Sequence, residues 1–489
     1  MSDEQIAQLW QQAVHAFETG DPGTAVRSGA KILTLDPNHA DALDLLGMCA
    51  KLTGDASRAI GFMGKAVSLQ PDNPVFQHHL GVTLMETGQT AAALERIQDA
   101  VRLKPDFAEA HVNLGNILFQ SGDPGGAARS YQTAVQLDPT QATAFYNLGI
   151  LFQKFRKHDT AIPFFDQALS SRPDYVDAHM GRAFSQLMTG NFEQGWEAYE
   201  WRLKMPFMPV REAQVPRWDG APSEPKRLHI FAEQGFGDAI QFARYLPMVR
   251  QRGHHILFEC RPELAPLIRS SDLADEIILK STDAPPPSPE CDANVPLLSL
   301  PRLFKTRLDS IPASVPYLRA DTARIDYWRL RLSAYEGARI GLVWSGDPTS
   351  SANIGRCCTF SDLAPLLETP GATFFSLQKG TPAREMHAHP AASRVIDLDS
   401  ELTDFGETAA LMMNLDLLIS TDTAVVHLMG ALGQAAWTMT FTESEWRWLE
   451  GRNDSPWYPT MRLYRQNTPQ RWDDVVQRIQ GDLTEFLAR

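Results

Sequence analysis

Two short segments carry residue types and spacings suited to chemistry. Glu233-Gln234-Gly235-Phe236-Gly237-Asp238 follows the apolar run Leu228–Ala232. Gly235 and Gly237 let the backbone turn sharply and approach a ligand, and Asp238 then opens a helix. A carboxylate there can remove a proton from an incoming hydroxyl, as a general base does, or simply cap the helix. Gln241 and Arg244 lie one turn further on and could orient or bind an acceptor. Arg244 reads equally well as a solvated surface residue. Gln234, Gly235, Gly237, Gln241 and Arg244 are thus the acceptor-side candidates around Asp238. The second segment, Ser420-Thr421-Asp422-Thr423, closes the apolar run Leu415–Ile419 and leads at once into AVVHLMGALG. Hydroxyls at a strand end that feeds a helix N-terminus suit a phosphate, because free N–H groups and the positive end of the helix dipole point there. His427, one turn into that helix, can face the same ligand or be a satisfied core residue. Lys379 follows another strand end. It suits a diphosphate, or stands in solvent on its loop.

These residues need strands to hold them. From Lys226 onward short apolar runs alternate with helical stretches. Leu228–Ala232, Ile256–Cys260 and Glu276–Leu279 read as strands, with helices at Ala239–Gln251 and Pro262–Ser270 and a Pro-rich surface loop at Ala284–Pro289. A second series, ARIGLVWSG, ATFFSLQKG, RVIDL, LDLLIS and AAWTMT, begins at Ala338. The alternation predicts parallel, doubly wound sheets in two Rossmann-like domains facing one cleft. Ligands in such sheets bind beyond the carboxyl ends of strands. That rule selects the loops at Glu233–Asp238, Trp344–Pro348 (with Ser345), Gln378–Gly380 and Ser420–Thr423. The expected boundaries are 226–310 for the first domain, 311–337 for the joining segment and 338–489 for the second.

Before them lies a different pattern. Prolines 37, 71, 105, 139 and 173 recur every 34 residues, in phase with Leu-Gly pairs at 46–47, 80–81, 114–115 and 148–149. This period, with small residues where helices cross, resembles the tetratricopeptide repeat. An all-α solenoid is expected over 1–205, with a linker over 206–225. Its last helix pair drifts from the register and is rich in aromatics. Trp196, Tyr199 and Trp201 read as the join to the next domain. The concave face of such an arm takes protein or peptide partners. Asn113 and Asn147 are candidates to bond a bound peptide's backbone, or else to satisfy neighbouring helices.

Composition removes several classes. A formal net charge of −14 argues against nucleic-acid binding. No apolar run approaches the ~18 residues needed to span a membrane. The start, MSDEQIAQLW, lacks the basic and apolar sequence of a secretory leader, so a cytoplasmic location is expected. The five cysteines are scattered, which suggests neither a disulfide framework nor a zinc site. No G-x-S-x-G, P-loop or H-E-x-x-H is present. Oligomeric state stays open, because exposed solenoid faces often self-associate.

EQGFGDAIQFARYLP and STDTAVVHLMGALG together resemble the heptosyltransferase-type (family 9) glycosyltransferases of GT-B fold. With the repeat arm, GNFEQGWEAYEWR, GLVWSG, SLQKG and DSPWYPTMRLYRQ, the chain is similar to bacterial tetratricopeptide-containing glycosyltransferases over nearly its whole length. The resemblance implies an N-terminal solenoid followed by a GT-B module. It also implies inverting, metal-independent transfer from a nucleotide-sugar donor to a protein acceptor, such as flagellin or another surface protein, with no cofactor. Asp238 matches the family's base. Asp422, Thr423 and His427, with Ser420 and Thr421, match its donor-holding element. The loop SGDPTSSANIGRCC lacks the family's lysine, so Arg356 and Lys379 are the proposed substitutes, and Ser345 and Gln378 are further donor-binding candidates. Trp446–Trp448 and Asp454–Pro459 either stack on the nucleotide base or pack the final helix, Trp472–Leu487, across the two domains. Asp397-Leu398-Asp399 resembles a D-x-D metal pair but sits in a short acidic loop, and no metal is expected. The altered loop at 349–358 leaves a second expectation, a non-catalytic scaffold whose degenerate module senses nucleotide. A transferase acting on a lipid-linked glycan is a third, less favoured by the peptide-binding arm.

Overall fold

The structure, a computed structural model, describes residues 2–206, 208, 215–221, 224, 226–280, 289–349, 353 and 355–488. The Pro-rich loop expected at Ala284–Pro289, all but Pro289, lies outside them, as do parts of the 206–225 linker and Ser350, Ser351, Ala352 and Ile354 of the altered loop. The chain divides into two compact units, Met1–Gly181 and Arg182–Arg489.

The first unit is all helix. Pairs such as Pro74–Glu86 with Thr90–Leu103, and Ala142–Lys154 with His158–Ser171, repeat one plan. Their crossings close on glycine. A Cβ on Gly81 would lie 2.7 Å from Ile97, and one on Gly149 2.6 Å from Phe165. The second helices stop at Leu35 and Leu69, two residues before Pro37 and Pro71, since proline has no N–H to continue the ladder. The N-terminal region is therefore a helical solenoid, as its period predicts.

The second unit holds two parallel sheets. One contains β1 (Arg227–Phe231), β2 (His255–Cys260), β3 (Glu276–Leu279) and β4 (Ala293–Pro296) in the order β3-β2-β1-β4. The other contains β5 (Ala338–Val343), β6 (Ala372–Ser376), β7 (Val395–Asp397), β8 (Leu417–Thr421), β9 (Ala436–Thr440) and β10 (Met461–Arg465) in the order β10-β9-β8-β5-β6-β7. β8, β5 and β6 are neighbours, so the loops after Thr421, Val343 and Ser376 emerge side by side.

β4 and β10 were not expected. Each is an edge strand, one made of Ala-Asn-Val-Pro and the other carrying two arginines, so neither has the apolar run of a central strand. The final helix also differs from expectation. Asp473–Leu487 buries Val475, Val476, Ile479 and Leu483 in the core of the six-stranded sheet, beside β10 and the turn Ala364–Glu368. The Trp446–Trp448 and Asp454–Pro459 segments do not belong to that core. They find closer aromatic partners: Trp446 meets Trp196 edge-on at 5.2 Å, and Trp457 meets Phe242 at 5.9 Å. The helix Phe192–Tyr199 thus belongs to this unit, with the indole N–H of Trp196 donating to the Thr306 carbonyl at 3.0 Å. Among the described residues no helix is long and apolar enough to cross a membrane.

Candidate functional site

The loop after β1 is held from its start. Glu233 is buried, and its Oε1 accepts from Arg202 Nη2 at 2.8 Å and Nε at 3.2 Å. Gln234 meets the Tyr199 hydroxyl at 3.3 Å. Gly235 then enters the helix Phe236–Phe242, and its N–H donates to Asp238 Oδ2 at 3.0 Å. Asp238 is therefore not the N-cap: the helix opens two residues earlier, at Phe236, and Asp238 reaches back from its third position to the N–H of the cap, Gly235. The other Asp238 oxygen has a second role, taking the guanidinium of Arg447.

Gly237 comes so near His427 that a Cβ there would lie 2.9 Å from the ring. The helices Phe236–Phe242 and Ala424–Ala431 pack together at that point, which brings the two sequence segments to one place. His427 is buried, with Nδ1 3.0 Å from the Tyr458 hydroxyl and its ring stacked on Trp448 at 5.3 Å. Its Nε2 is 3.9 Å from Asp422 Oδ1. Burial holds its pKa well below the ordinary 6.5, and Arg447, Arg244 and Arg356 act in the same direction, so the imidazole is neutral. Asp422 Oδ2 and Thr421 Oγ1 are buried without a hydrogen-bond partner among the described residues. Ser420 Oγ donates to the Thr421 carbonyl at 2.7 Å and lies 3.3 Å from Thr423 Oγ1. Unpaired buried oxygens at a strand end are costly, and a bound donor group or water would relieve them.

Arg447 organises the charges. Its Nε donates to Gln241 Oε1 at 2.6 Å and its Nη1 to Glu445 Oε2 at 2.7 Å, while Nη2 holds Asp238. The other oxygen of Glu445 takes Arg356. Asp238, Arg447, Glu445 and Arg356 thus form a chain of alternating charge. Neither Arg447 nor Glu445 was singled out from sequence. The only available signal was their place in a Trp-rich motif, and the motif drew attention to its aromatics.

Other candidates have structural duties. Arg244 is buried rather than solvated. It donates to the carbonyls of Trp457 and Gln241, both at 2.8 Å, and to the Tyr317 hydroxyl at 3.1 Å. Gln378 ties two loops: its Oε1 accepts from the N–H of Ser345 at 2.8 Å and of Trp344 at 3.0 Å. The Ser345 hydroxyl donates to the Gly346 carbonyl at 2.9 Å. Lys379 pairs with Asp399 at 2.7 Å and donates to the Leu402 carbonyl at 2.9 Å, so its charge is directed to the 399–402 turn. His387 meets Asp397 at 2.9 Å. Among the described residues no group of three or more His, Cys, Asp or Glu is placed to hold a metal.

On the arm, the amide of Asn113 donates to His78 Nε2 at 2.8 Å, and that of Asn147 to Asn116 Oδ1 at 2.8 Å. Both asparagines bond the preceding repeat, as does His79 with Asp44 at 2.7 Å. Asn147 also lines a cleft of about 150 Å³ with Asn116, Phe119 and Tyr131. His78 must accept from Asn113, and its Nδ1 has no partner among the described residues. Burial lowers its pKa from 6.5 to about 4, with His79 and Lys51 adding to the effect. A depressed histidine supports folding above its unfolded pKa, and that support is lost as pH falls from 6.5 towards 4. The loss should be on the order of 3 kcal/mol. Denaturant titrations of the chain at pH 7 and pH 4.5 should show it, and His78→Gln should remove most of the difference. An equal pH dependence in the variant would mean that other groups cause it.

A TPR repeat model matches residues 83–122 and 115–154, and a tetratricopeptide repeat model matches 146–200. The N-terminal region therefore carries tetratricopeptide repeats. Protein FlbA of Caulobacter vibrioides is 28% identical over 392 residues, covering 67% of this chain and 64% of FlbA. The chain thus spans less than two thirds of that relative's length. Among solved structures, MamA is similar at 24% identity and a TM-score of 0.31, over 35% of this chain and 94% of MamA. PilF of Pseudomonas aeruginosa is similar at 20% identity and a TM-score of 0.39, over 42% and 92%.

Proposed function

We propose that the chain is an inverting, metal-independent glycosyltransferase of GT-B type. It moves a sugar from a nucleotide-activated donor to a hydroxyl of a protein acceptor recruited by the tetratricopeptide arm. The observation that carries this reading is the meeting of the Asp238 helix with the Asp422–His427 element where Gly237 packs on His427. The sequence resemblance to the heptosyltransferase-type enzymes assigns these two elements to acceptor activation and donor binding. On this reading the chain works in the cytoplasm, where it would meet a nucleotide-sugar donor.

The chemistry balances on these groups. Asp238 takes the proton of an acceptor Ser or Thr hydroxyl as its oxygen attacks the anomeric carbon. The bond from that carbon to the phosphate oxygen breaks, and the nucleoside diphosphate departs with the electron pair. The N–H groups at the start of Ala424–Ala431 and the Arg356 guanidinium stabilise the departing charge. Neutral His427 donates or accepts a hydrogen bond without adding charge. Gln378 shapes the donor loop through Ser345 and Trp344.

The test is a thermal-shift screen against nucleotides and nucleotide sugars, with and without EDTA, followed by transfer assays on candidate acceptors. A selective rise in melting temperature that survives EDTA, then transfer, is the expected result. One observation favours the scaffold reading: both Asp238 oxygens are already engaged, by Gly235 and Arg447. Nucleotide binding with neither donor hydrolysis nor transfer would establish that alternative.

A further inference from the structure

We propose that the Glu445 carboxylate is an internal stand-in for the donor's phosphate, bridging Arg356 and Arg447, and that an incoming diphosphate displaces it and frees Asp238. The inference rests on the transferase reading for its biological meaning, but the anion site itself does not. Glu445 bonds Arg356 through one oxygen and Arg447 through the other. Planar guanidinium forks bind carboxylate and phosphate with the same geometry. The carboxylate lies in the segment after β9, not within a helix or strand, and its side chain is 25% exposed while Arg447 is 8% exposed. The anion is thus the partner that can leave, and the arginine the one that stays. Independently, Gln241 is fully buried against Arg447, and its Nε2 has no partner among the described residues. An unpaired donor on a side chain held by the Arg447 guanidinium points to a missing acceptor, such as a phosphate oxygen.

The arrangement couples donor binding to base release. In the resting chain Arg447 shares its charge between Glu445 and Asp238. A diphosphate carries more negative charge than Glu445 and can engage Arg356 and Arg447 together. With the diphosphate engaging Arg447 where it stands, less of its charge is directed to Asp238 Oδ1, whose lone pair becomes available to the acceptor. The base then acts only when a donor is present, which limits premature activation of the acceptor hydroxyl.

Isothermal titration of the full chain with inorganic pyrophosphate tests this. Glu445→Gln removes the competing charge and should bind roughly tenfold or more tightly than the unmodified chain. Adding Arg356→Gln to that variant should abolish the gain. Should Glu445→Gln fail to fold, Glu445→Asp keeps the charge but is too short to bridge both arginines, and it should show a smaller gain. Equal or weaker affinity in the folded variants, a gain that persists without Arg356, or no pyrophosphate binding by any of them would overturn the proposal. The two readings separate cleanly. Tightened pyrophosphate binding without transfer would keep the anion site and remove the transferase, while transfer without tightening would do the reverse.

Discussion

Asp238→Asn should lower glycosyl transfer by about 10²–10⁴-fold, the usual contribution of a general base, while leaving the chain folded. The substitution is nearly isosteric. Asparagine can still accept from the Gly235 N–H, which the carboxylate takes at 3.0 Å, or from Arg447. It cannot satisfy both through one oxygen, because its amide nitrogen is a donor. The cost in stability should therefore be about 1.5–3 kcal/mol, the value of a hydrogen bond to a charged group. Donor affinity should hold or rise, since Arg447 loses its claim on Asp238 and is freer to meet a phosphate. The decisive comparison is single-turnover transfer at saturating donor, with circular dichroism confirming the fold. A variant that transfers at the unmodified rate would show that Asp238 only braces the N–H of Gly235 at the start of its helix, and the base would have to be sought elsewhere.

Much of the scaffold was legible because its signals are local. The 34-residue phase of Pro37, Pro71 and Pro105 reports helix ends, and the glycine crossings and the proline stops stand where that phase puts them. β5, β6, β8 and β9 are buried apolar runs and read as such. β4 and β10, at the sheet edges, have no such run. The site divides along the same line. The rule that ligands bind at strand carboxyl ends chose the loops Glu233–Asp238 and Ser420–Thr423, and the helices that follow them meet at Gly237 and His427. The charges between them were not legible. Arg447 reaches Asp238 across 209 positions, and no periodicity links residues so far apart. For the same reason Lys379 could be placed after its strand, but its pairing with Asp399 could not be foreseen. Arg244 shows the limit most plainly. Its charge suggested a ligand or solvent, yet it is buried and held by backbone carbonyls and aromatic faces.

Arg202→Met should be the most destabilising single replacement in the second unit, at about 3–5 kcal/mol, because it strands a buried carboxylate. Arg202 and Glu233 have side chains only 1% and 2% exposed and meet at 2.8 Å. Arg202 also donates to Glu200 at 2.7 Å, to Ser299 at 2.9 Å and to the Tyr199 carbonyl at 3.1 Å. Burial already pushes the Glu233 carboxyl pKa up against the pull of Arg202. Without the arginine, the acid must be protonated or drag water inward. Replacing both partners, Arg202→Met with Glu233→Gln, should recover much of the loss, since paired removal of a buried ion pair is often close to neutral. Function should not recover with it. Glu233 begins the turn that delivers Asp238, and its Oε1 also accepts from the Leu298 N–H at 3.3 Å, so the pair fixes where the loop starts. The double variant should therefore melt near the unmodified chain yet transfer poorly, with the loss in kcat and little change in donor Kd. Recovery of both stability and rate would mean that the loop holds its shape without Arg202. The turn Glu200–Lys204 would then be packing, with no part in placing Asp238.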